Sequence, residues 1–257
     1  MVNGVSESSC AGSTSDRAKP TRAPVFVTTH WTAVLAAGQG DTTHARDAFA
    51  ELCQTYWYPL YSYIRLRGYS PHDSQDLTQQ FFAGLLGRKA FAGITREKGR
   101  FRSFLLTALK HFLVDEWRKS QREKRGGGRV ISLDAEDAER RFALEPRETL
   151  TPERAFEQNW ALALLDKVFD QLNQELEAEN KGHLFSELKF CLTGERSPVP
   201  YVELAARLNV PENTVKTLVR RLRQRYRARL RQEVANTVDH PDEIEDELRF
   251  LFRALSS

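Results

Sequence analysis

The chain has little of what disulfide-stabilised or membrane-embedded folds require. Its three cysteines are far apart in the sequence, so a disulfide framework is not expected and a reducing compartment fits better. No apolar run approaches the roughly 18 residues of a membrane-spanning helix. The N-terminus lacks the apolar stretch of a secretory signal. We therefore expect a cytoplasmic protein that does not insert into a membrane.

Catalytic motifs are also missing. The chain has neither a P-loop nor a glycine-rich dinucleotide motif, and its six histidines are not spaced as metal ligands. Two acidic pairs, Asp73 with Asp76 and Asp115 with Glu116, could imitate nuclease carboxylates, but no other residues complete a metal site. We expect no enzyme, no cofactor and no metal, with a nuclease kept as a minor alternative.

The apolar pattern predicts an all-α fold. Hydrophobic residues make up 40% of the chain, enough for a core, and they recur every three or four positions without strand-like alternation. Serine or threonine followed by proline, at Ser70 and Thr151, predicts two helix starts.

Breaks in this periodicity divide the chain into two small helical domains joined by a linker. Gly126-Gly-Gly ends the first helical region, and an acidic, weakly periodic stretch follows it. The predicted division is a disordered tail (1–24), a first domain (25–125), an acidic linker (126–150), a second domain (151–234) and an acidic C-terminal extension (235–257) that can still form a helix.

Positive charge is concentrated in two blocks. Residues 96–129 hold eleven Lys or Arg against four acids, and residues 213–232 hold eight against none, although the whole chain is only +3. Two basic blocks on an otherwise acidic chain favour two contacts with a polyanion. Solvated basic helix faces are the alternative.

The second block follows the pattern of a helix-turn-helix. Between residues 201 and 218, apolar residues occupy the positions that two steeply crossing helices require, and Asn209 suits a left-handed turn before Pro211, the expected first residue of the second helix. The N-terminal residues of that second helix would reach base edges in the major groove, with later arginines mostly on phosphates. The candidate DNA-binding residues are Glu212, Asn213, Thr214, Lys216, Thr217, Arg220, Arg221 and Arg223.

The first block mixes cations with aromatic residues. Aromatic rings beside cations suit unpaired bases, which stack on them. The apolar stripe of a long helix from Phe101 to Arg125 nevertheless consists of Phe101, Phe104, Leu105, Ala108, Phe112 and Trp117, so we expect Phe104, Phe112 and Trp117 mainly in the core. The 93–99 loop and its flanking arginines are the better candidates for nucleic-acid contact.

The order of these parts resembles bacterial RNA polymerase sigma factors of the extracytoplasmic-function (ECF) class. Ala48–Tyr61 is similar to the first helix of their promoter-melting domain, and Asp73–Phe82 to the helix that binds the polymerase β′ clamp. Phe101–Lys119 resembles the elements that open and read the −10 element, and Tyr201–Leu230 the domain that reads the −35 element. The resemblance covers about residues 45–125 and 155–231.

This resemblance implies a promoter-specificity factor whose partners are core RNA polymerase, through its β′ clamp and β flap, and promoter DNA. Polymerase-binding positions would be Asp73, Asp76, Leu77, Gln80, Phe81 and Leu85. Positions facing the −10 element and its displaced strand would be Arg96, Lys98, Arg100, Phe101, Arg102, Ser103, Lys110, Arg118 and Arg122. An anti-sigma factor or a kinase stays open as a further partner.

Three departures from the family pattern produce further hypotheses. Gln79 and Gln80 stand where acids are common, and phosphorylation of Thr78 would restore negative charge there. The N-terminal tail and the C-terminal extension are longer than the family minimum, and the extension could shield the arginine-rich helix. The alternative function is a helix-turn-helix transcription regulator that does not bind core polymerase.

Overall fold

The computed structural model describes residues 43–86, 100–122, 135–144, 150–192 and 199–256, and the prediction of an all-α fold is confirmed over them. The α-helices in chain order are α1 (Thr43–Leu66), α2 (Pro71–Leu86), α3 (Phe101–Arg122), α4 (Ala135–Leu144), α5 (Pro152–Ala178), α6 (Gly182–Leu188), α7 (Tyr201–Leu208), α8 (Glu212–Ala235) and α9 (Ile244–Leu255). Short 3₁₀ turns follow α6 and precede α9. None of the helices in these ranges has the length and apolar character needed to cross a lipid bilayer.

Two helix starts lie where the Ser-Pro and Thr-Pro signals predict them. The Ser70 hydroxyl accepts a hydrogen bond from the Asp73 backbone N–H at 3.1 Å, which caps α2. The Thr151 hydroxyl accepts one from the Arg154 N–H at 3.3 Å, which caps α5. Each cap satisfies a backbone donor that the first helical turn leaves without an intrahelical partner.

The larger hydrophobic cluster draws on both ends of the sequence. Helices α1, α2 and α3 contribute one part, including Tyr56 and Phe101, which are fully buried. The N-terminal half of α5 contributes Trp160, and the end of α8 and helix α9 contribute Val234 and Leu251. Tyr56 and Leu251, which lie near opposite ends of the described sequence, thus share one apolar interior.

A smaller cluster lies at the other ends of α5 and α8. Leu172 and Leu176, in the last turns of α5, pack with Leu204 of α7 and with Val215 and Val219 of α8, and all are buried. Helices α5 and α8 therefore run from one cluster to the other and contact each other directly.

This shared packing differs from the arrangement expected of two domains separated by the 126–150 linker. The Trp160 indole N–H donates to the Tyr56 hydroxyl at 3.1 Å, and the Phe101 backbone N–H donates to the Thr237 carbonyl at 3.1 Å. Both bonds join the predicted first domain to residues beyond the linker. The division at 126–150 thus marks a change in composition, whereas the apolar interior crosses it.

Part of the predicted linker is itself a docked helix. In α4, Phe142 packs against Tyr61 of α1, and Glu139 forms a two-pronged ion pair with Arg65, with N–O distances of 2.9 and 3.0 Å. The pattern Ala138–Phe142 is one i,i+4 step, too short to stand out as periodicity. The sequence pattern therefore did not predict this helix, which tertiary packing stabilises.

We predict that Tyr56 and Trp160 are energetically coupled in unfolding. In a double-mutant cycle, Tyr56→Phe and Trp160→Phe should show a coupling free energy of about 0.5–1.5 kcal/mol, because either change removes the buried hydrogen bond. Denaturant unfolding of the four proteins, followed by circular dichroism, measures it. Tyr61→Phe combined with Trp160→Phe is the control and should be additive, since the Tyr61 hydroxyl bonds Glu139. Additivity of the Tyr56 pair would contradict the shared core.

Candidate nucleic-acid interface

The α7–α8 pair has the turn that the sequence predicts. Asn209 follows α7 with φ 52° and ψ 46°, the left-handed conformation that asparagine tolerates better than most residues. The Val210 N–H donates to the Ala205 carbonyl at 3.0 Å and closes the end of α7. Pro211 is extended and precedes α8 as its cap residue, one position earlier than expected, because its carbonyl accepts from Thr214 and Val215.

The first turns of α8 present a polar face. Val215, Val219 and Leu222 are buried against α7 and α5, which turns the intervening residues outward. Most of the candidate base-reading residues are exposed: Asn213, Thr214, Lys216, Thr217, Arg220 and Arg221. Glu212 is half-buried and pairs with Lys216 at 2.7 Å within the same helix. This face combines donors, acceptors and positive charge at a helix N-terminus.

The later arginines of α8 are mostly held by the protein itself. Arg223 donates from Nε to the Cys191 carbonyl at 2.9 Å, so it braces the smaller cluster instead of extending outward. Arg225 pairs with Glu179 at 2.7 Å and Glu175 at 3.1 Å. Arg229 and Arg231 are ion-paired with Glu175 and Glu245, respectively. The expectation that these arginines mostly meet phosphates therefore needs correction, since acids of α5 and α9 take that place.

The start of α3 also differs from the sequence prediction. The Phe101 ring has no exposed surface and packs edge-on against Tyr56, so it is a core residue and does not face DNA in this structure. Arg102 is 5% exposed and pairs with Glu247. Arg100 pairs with the same carboxylate at 2.9 Å. Packing of α9 on this end of α3 explains the two arginines, whereas Phe101 is held by Tyr56 of α1 and by its backbone bond to Thr237.

The remaining candidates of the first basic block lie on the outer face of α3. Ser103, Lys110 and Arg118 are exposed, and Lys110 pairs with Glu153 at the start of α5, at 2.8 Å. This pairing lowers the pKa of the Glu153 carboxyl and raises that of the Lys110 ammonium. Arg96 and Lys98 lie outside the described residues. Arg122 is the last residue of α3, and its side chain is not described.

A cavity of about 470 Å³ beside α3 brings together residues that the sequence did not connect. Trp117, which the apolar stripe predicted to be in the core, is 58% exposed and lines it. Tyr69, Arg67 and Lys110 line the same cavity. An exposed indole with cations nearby is the combination that stacks on unpaired bases. Phe104 and Phe112 are half-buried, in agreement with a mainly structural role.

The predicted polymerase-binding residues divide between two faces of α2. Asp73 and Gln80 are exposed, while Asp76 and Leu77 are half-buried. Phe81 and Leu85 are 4% and 3% exposed and belong to the larger cluster, so their proposed role in direct clamp contact is wrong for this arrangement. A spacing of four residues gives Phe81 and Leu85 the same inward direction.

Thr78 is not placed for modification in this structure. Its side chain has no exposed surface, and its hydroxyl donates to the Ser74 carbonyl at 2.6 Å. A kinase could reach it only if α2 opened locally. The Thr78 phosphorylation hypothesis therefore has no structural support here.

The comparisons with known proteins agree with this layout over α1 to α3. Residues 52–123, a little over a quarter of the chain, match the family model for sigma-70 region 2. No curated protein and no solved structure matches the chain. The family match supports a sigma factor of the sigma-70 family, a class that binds RNA polymerase and takes part in promoter recognition.

We predict that Arg225 controls the acidity of Glu179. Hydrogen bonds from Arg225 and then Lys181 lower the pKa of the exposed Glu179 carboxyl to about 2. In Arg225→Ala this pKa should rise toward the ordinary glutamate range, because the main stabiliser of the charged form is gone. Carboxyl ¹³C NMR titration measures it. Arg227→Ala, which alters an exposed arginine of the same helix, should leave the pKa unchanged. An unchanged pKa in Arg225→Ala would mean that Arg225 does not hold Glu179 in solution.

Proposed function

We propose that the protein is a promoter-specificity factor of the ECF class. It binds core RNA polymerase, recognises −35 and −10 promoter elements, and helps to open the duplex. Polymerase carries out the nucleotide chemistry, so the protein itself is not an enzyme. Transcription initiation in the cytoplasm is the expected setting.

The observation that carries this proposal is a combination within one chain. A segment matching sigma-70 region 2 covers most of α1 and all of α2 and α3, and a separate helix pair, α7–α8, presents an exposed face with two adjacent arginines. A polymerase-recruited factor with two DNA contacts needs both parts. We assign −35 recognition to the first turns of α8, with Arg220 and Arg221 suited to guanine edges or phosphates.

We assign strand opening and −10 contact to the outer face of α3. The exposed Trp117, with Arg67 and Tyr69 around the adjoining cavity, offers a stacking surface for a base of the displaced strand. The exposed Ser103 and Arg118 extend the same helix face or flank it. Lys110 becomes available there when its ion pair with Glu153 exchanges for phosphate.

The alternative is a helix-turn-helix regulator without polymerase binding. The α7–α8 pair alone would serve either function. Retention of core RNA polymerase on the immobilised full-length protein separates the two, since a regulator of that kind does not require it. Run-off transcription by core enzyme with and without the protein is the decisive test, and no start-site selectivity on any template tried would contradict our proposal.

We predict that Arg220→Ala/Arg221→Ala weakens promoter binding at least tenfold. Each lost base contact removes about 1–3 kcal/mol of binding free energy. Each lost phosphate contact reduces the dependence of log affinity on log salt concentration, the salt slope, by about one. Fluorescence anisotropy at several salt concentrations, together with run-off transcription, measures both effects.

The matched control for this double variant is Arg249→Ala. Arg249 is an exposed arginine of α9 that pairs with Asp246 on the same helix, at 2.9 Å. Its replacement should leave affinity within twofold. Equal losses per charge removed in the two proteins would show a net-charge effect and would contradict the assignment of α8 as the reading helix.

We predict that Gln80→Glu tightens binding to core polymerase about two- to fivefold, and that Gln80→Arg weakens it. Gln80 is exposed, so neither change disturbs the core, and one surface charge pair is worth about 0.2–1 kcal/mol. Biolayer interferometry with core enzyme measures the affinities. Gln174→Glu, at an exposed position of α5, is the control and should have no effect. Identical affinities for both Gln80 variants would remove α2 from the polymerase interface.

A further inference from the structure

Helix α9 covers the start of α3, at the edge of the first basic block. Ile244 and Leu251 are buried in the larger cluster, and the ring of Phe250 lies 6.3 Å from that of Trp160. The acidic C-terminal extension is therefore a docked part of the fold. Its carboxylates reach both basic blocks: one binds Arg100 and Arg102 of the first block, and another binds Arg231 of the arginine-rich helix, where the sequence-based hypothesis placed the shielding.

One carboxylate of α9 binds two arginines of that block. Glu247 has no exposed surface. Its Oε1 accepts from Arg102 Nε at 2.7 Å, and its Oε2 lies 2.9 Å from Arg100 Nε and 3.3 Å from Arg102 Nη2. Two carboxylate oxygens facing two guanidinium groups reproduce the geometry with which arginine binds phosphate.

The Arg102 guanidinium is enclosed on its other sides as well. Its central carbon lies 3.4 Å from the centroid of the Phe250 ring and 5.3 Å from that of Trp160, and Glu157 approaches to 3.7 Å. Phe250 belongs to α9, so the same helix supplies both the counter-charge and the ring that shields it from water. Arg102 cannot reach a nucleic acid while α9 is docked.

We propose that α9 is an intramolecular clamp in which Glu247 occupies the place of a DNA phosphate, and that α9 must leave before Arg100 and Arg102 can bind DNA. This inference rests on the proposed function. It identifies the C-terminal extension as the inhibitory segment and Glu247 as the residue that holds it. The apparent DNA affinity is then reduced by the fraction of molecules that are closed.

Glu247→Gln tests the clamp in the full-length protein. Removing one partner of a buried ion pair leaves guanidinium charge uncompensated, so α9 should detach more often. Hydrogen exchange should speed up at least tenfold for the amides of 244–255. Affinity for a forked promoter DNA with a single-stranded −10 segment should rise about tenfold. The salt slope should steepen by about 1.4, corresponding to two new contacts with single strand.

Two further variants separate the clamp from simpler explanations. Asp246→Asn removes the same charge from the exposed side of α9 and should change neither exchange nor affinity. Leu248→Ala weakens the packing of α9 without touching the ion pair. It should increase both the hydrogen-exchange rate of α9 and the DNA affinity, although less than Glu247→Gln does. Deleting 235–257 is less informative because Val238, Ile244 and Leu251 belong to the core.

Faster exchange in Glu247→Gln with unchanged DNA affinity and salt slope would overturn the clamp, and so would unchanged exchange. Equal gains in Asp246→Asn would overturn it as well, since net charge would then explain the effect. The proposed function is judged separately by run-off transcription with the unmodified protein. Its failure there, with faster α9 exchange in Glu247→Gln, would leave a detachable helix without a role at promoters.

Discussion

The fold depends on the packing of one long helix, α5, against partners from both ends of the chain. Its N-terminal half buries Trp160 and Leu164 against α1 and α9, and its C-terminal half buries Leu172 and Leu176 with α7 and α8. At 27 residues, and about 1.5 Å per residue, it is about 40 Å long, which is enough to reach both clusters. Because α8 runs beside it, the position of the second basic block relative to the larger cluster follows from this pair of helices.

Ion pairing then decides which cations stay on the surface. Among the described residues, carboxylates from the C-terminal half of the chain bind cations of both basic blocks, through the pairs Lys110–Glu153, Arg102–Glu247, Arg225–Glu179 and Arg231–Glu245. The contribution of each ion pair to stability depends on how deeply it is buried. The exposed Arg231–Glu245 pair contributes little to stability, because water solvates both partners. The buried Arg102–Glu247 pair is costly to break from one side. The chain therefore neutralises much of its own basic charge, and a polyanion has to compete for it.

The candidate nucleic-acid surfaces consist of side chains that stay exposed once the internal contacts have formed. At α8, the apolar contacts of Val215 and Val219 direct Arg220 and Arg221 outward. At α3, Lys110 and Trp117 lie two turns apart on one side of the helix, next to the buried Leu113, and both line the cavity there. The match to sigma-70 region 2 ends one residue after α3, so the family comparison covers only the second of these surfaces. The proposal for α8 depends on the geometry of the helix pair alone.

The sequence by itself determined features that depend on neighbours within one turn of helix. It predicted the caps at Ser70 and Thr151, the left-handed turn at Asn209, the helical character of the C-terminal extension and the separation of charge into two blocks. Only the tertiary structure decided that Phe101 turns inward, that Trp117 turns outward, and that Glu247 holds Arg100 and Arg102. Spacing along a helix shows which residues share a face, but the partner of that face comes from a distant part of the sequence, such as Tyr56 for Phe101 and Glu247 for Arg102. Burial and ion pairing at α3 therefore could not be predicted from local pattern.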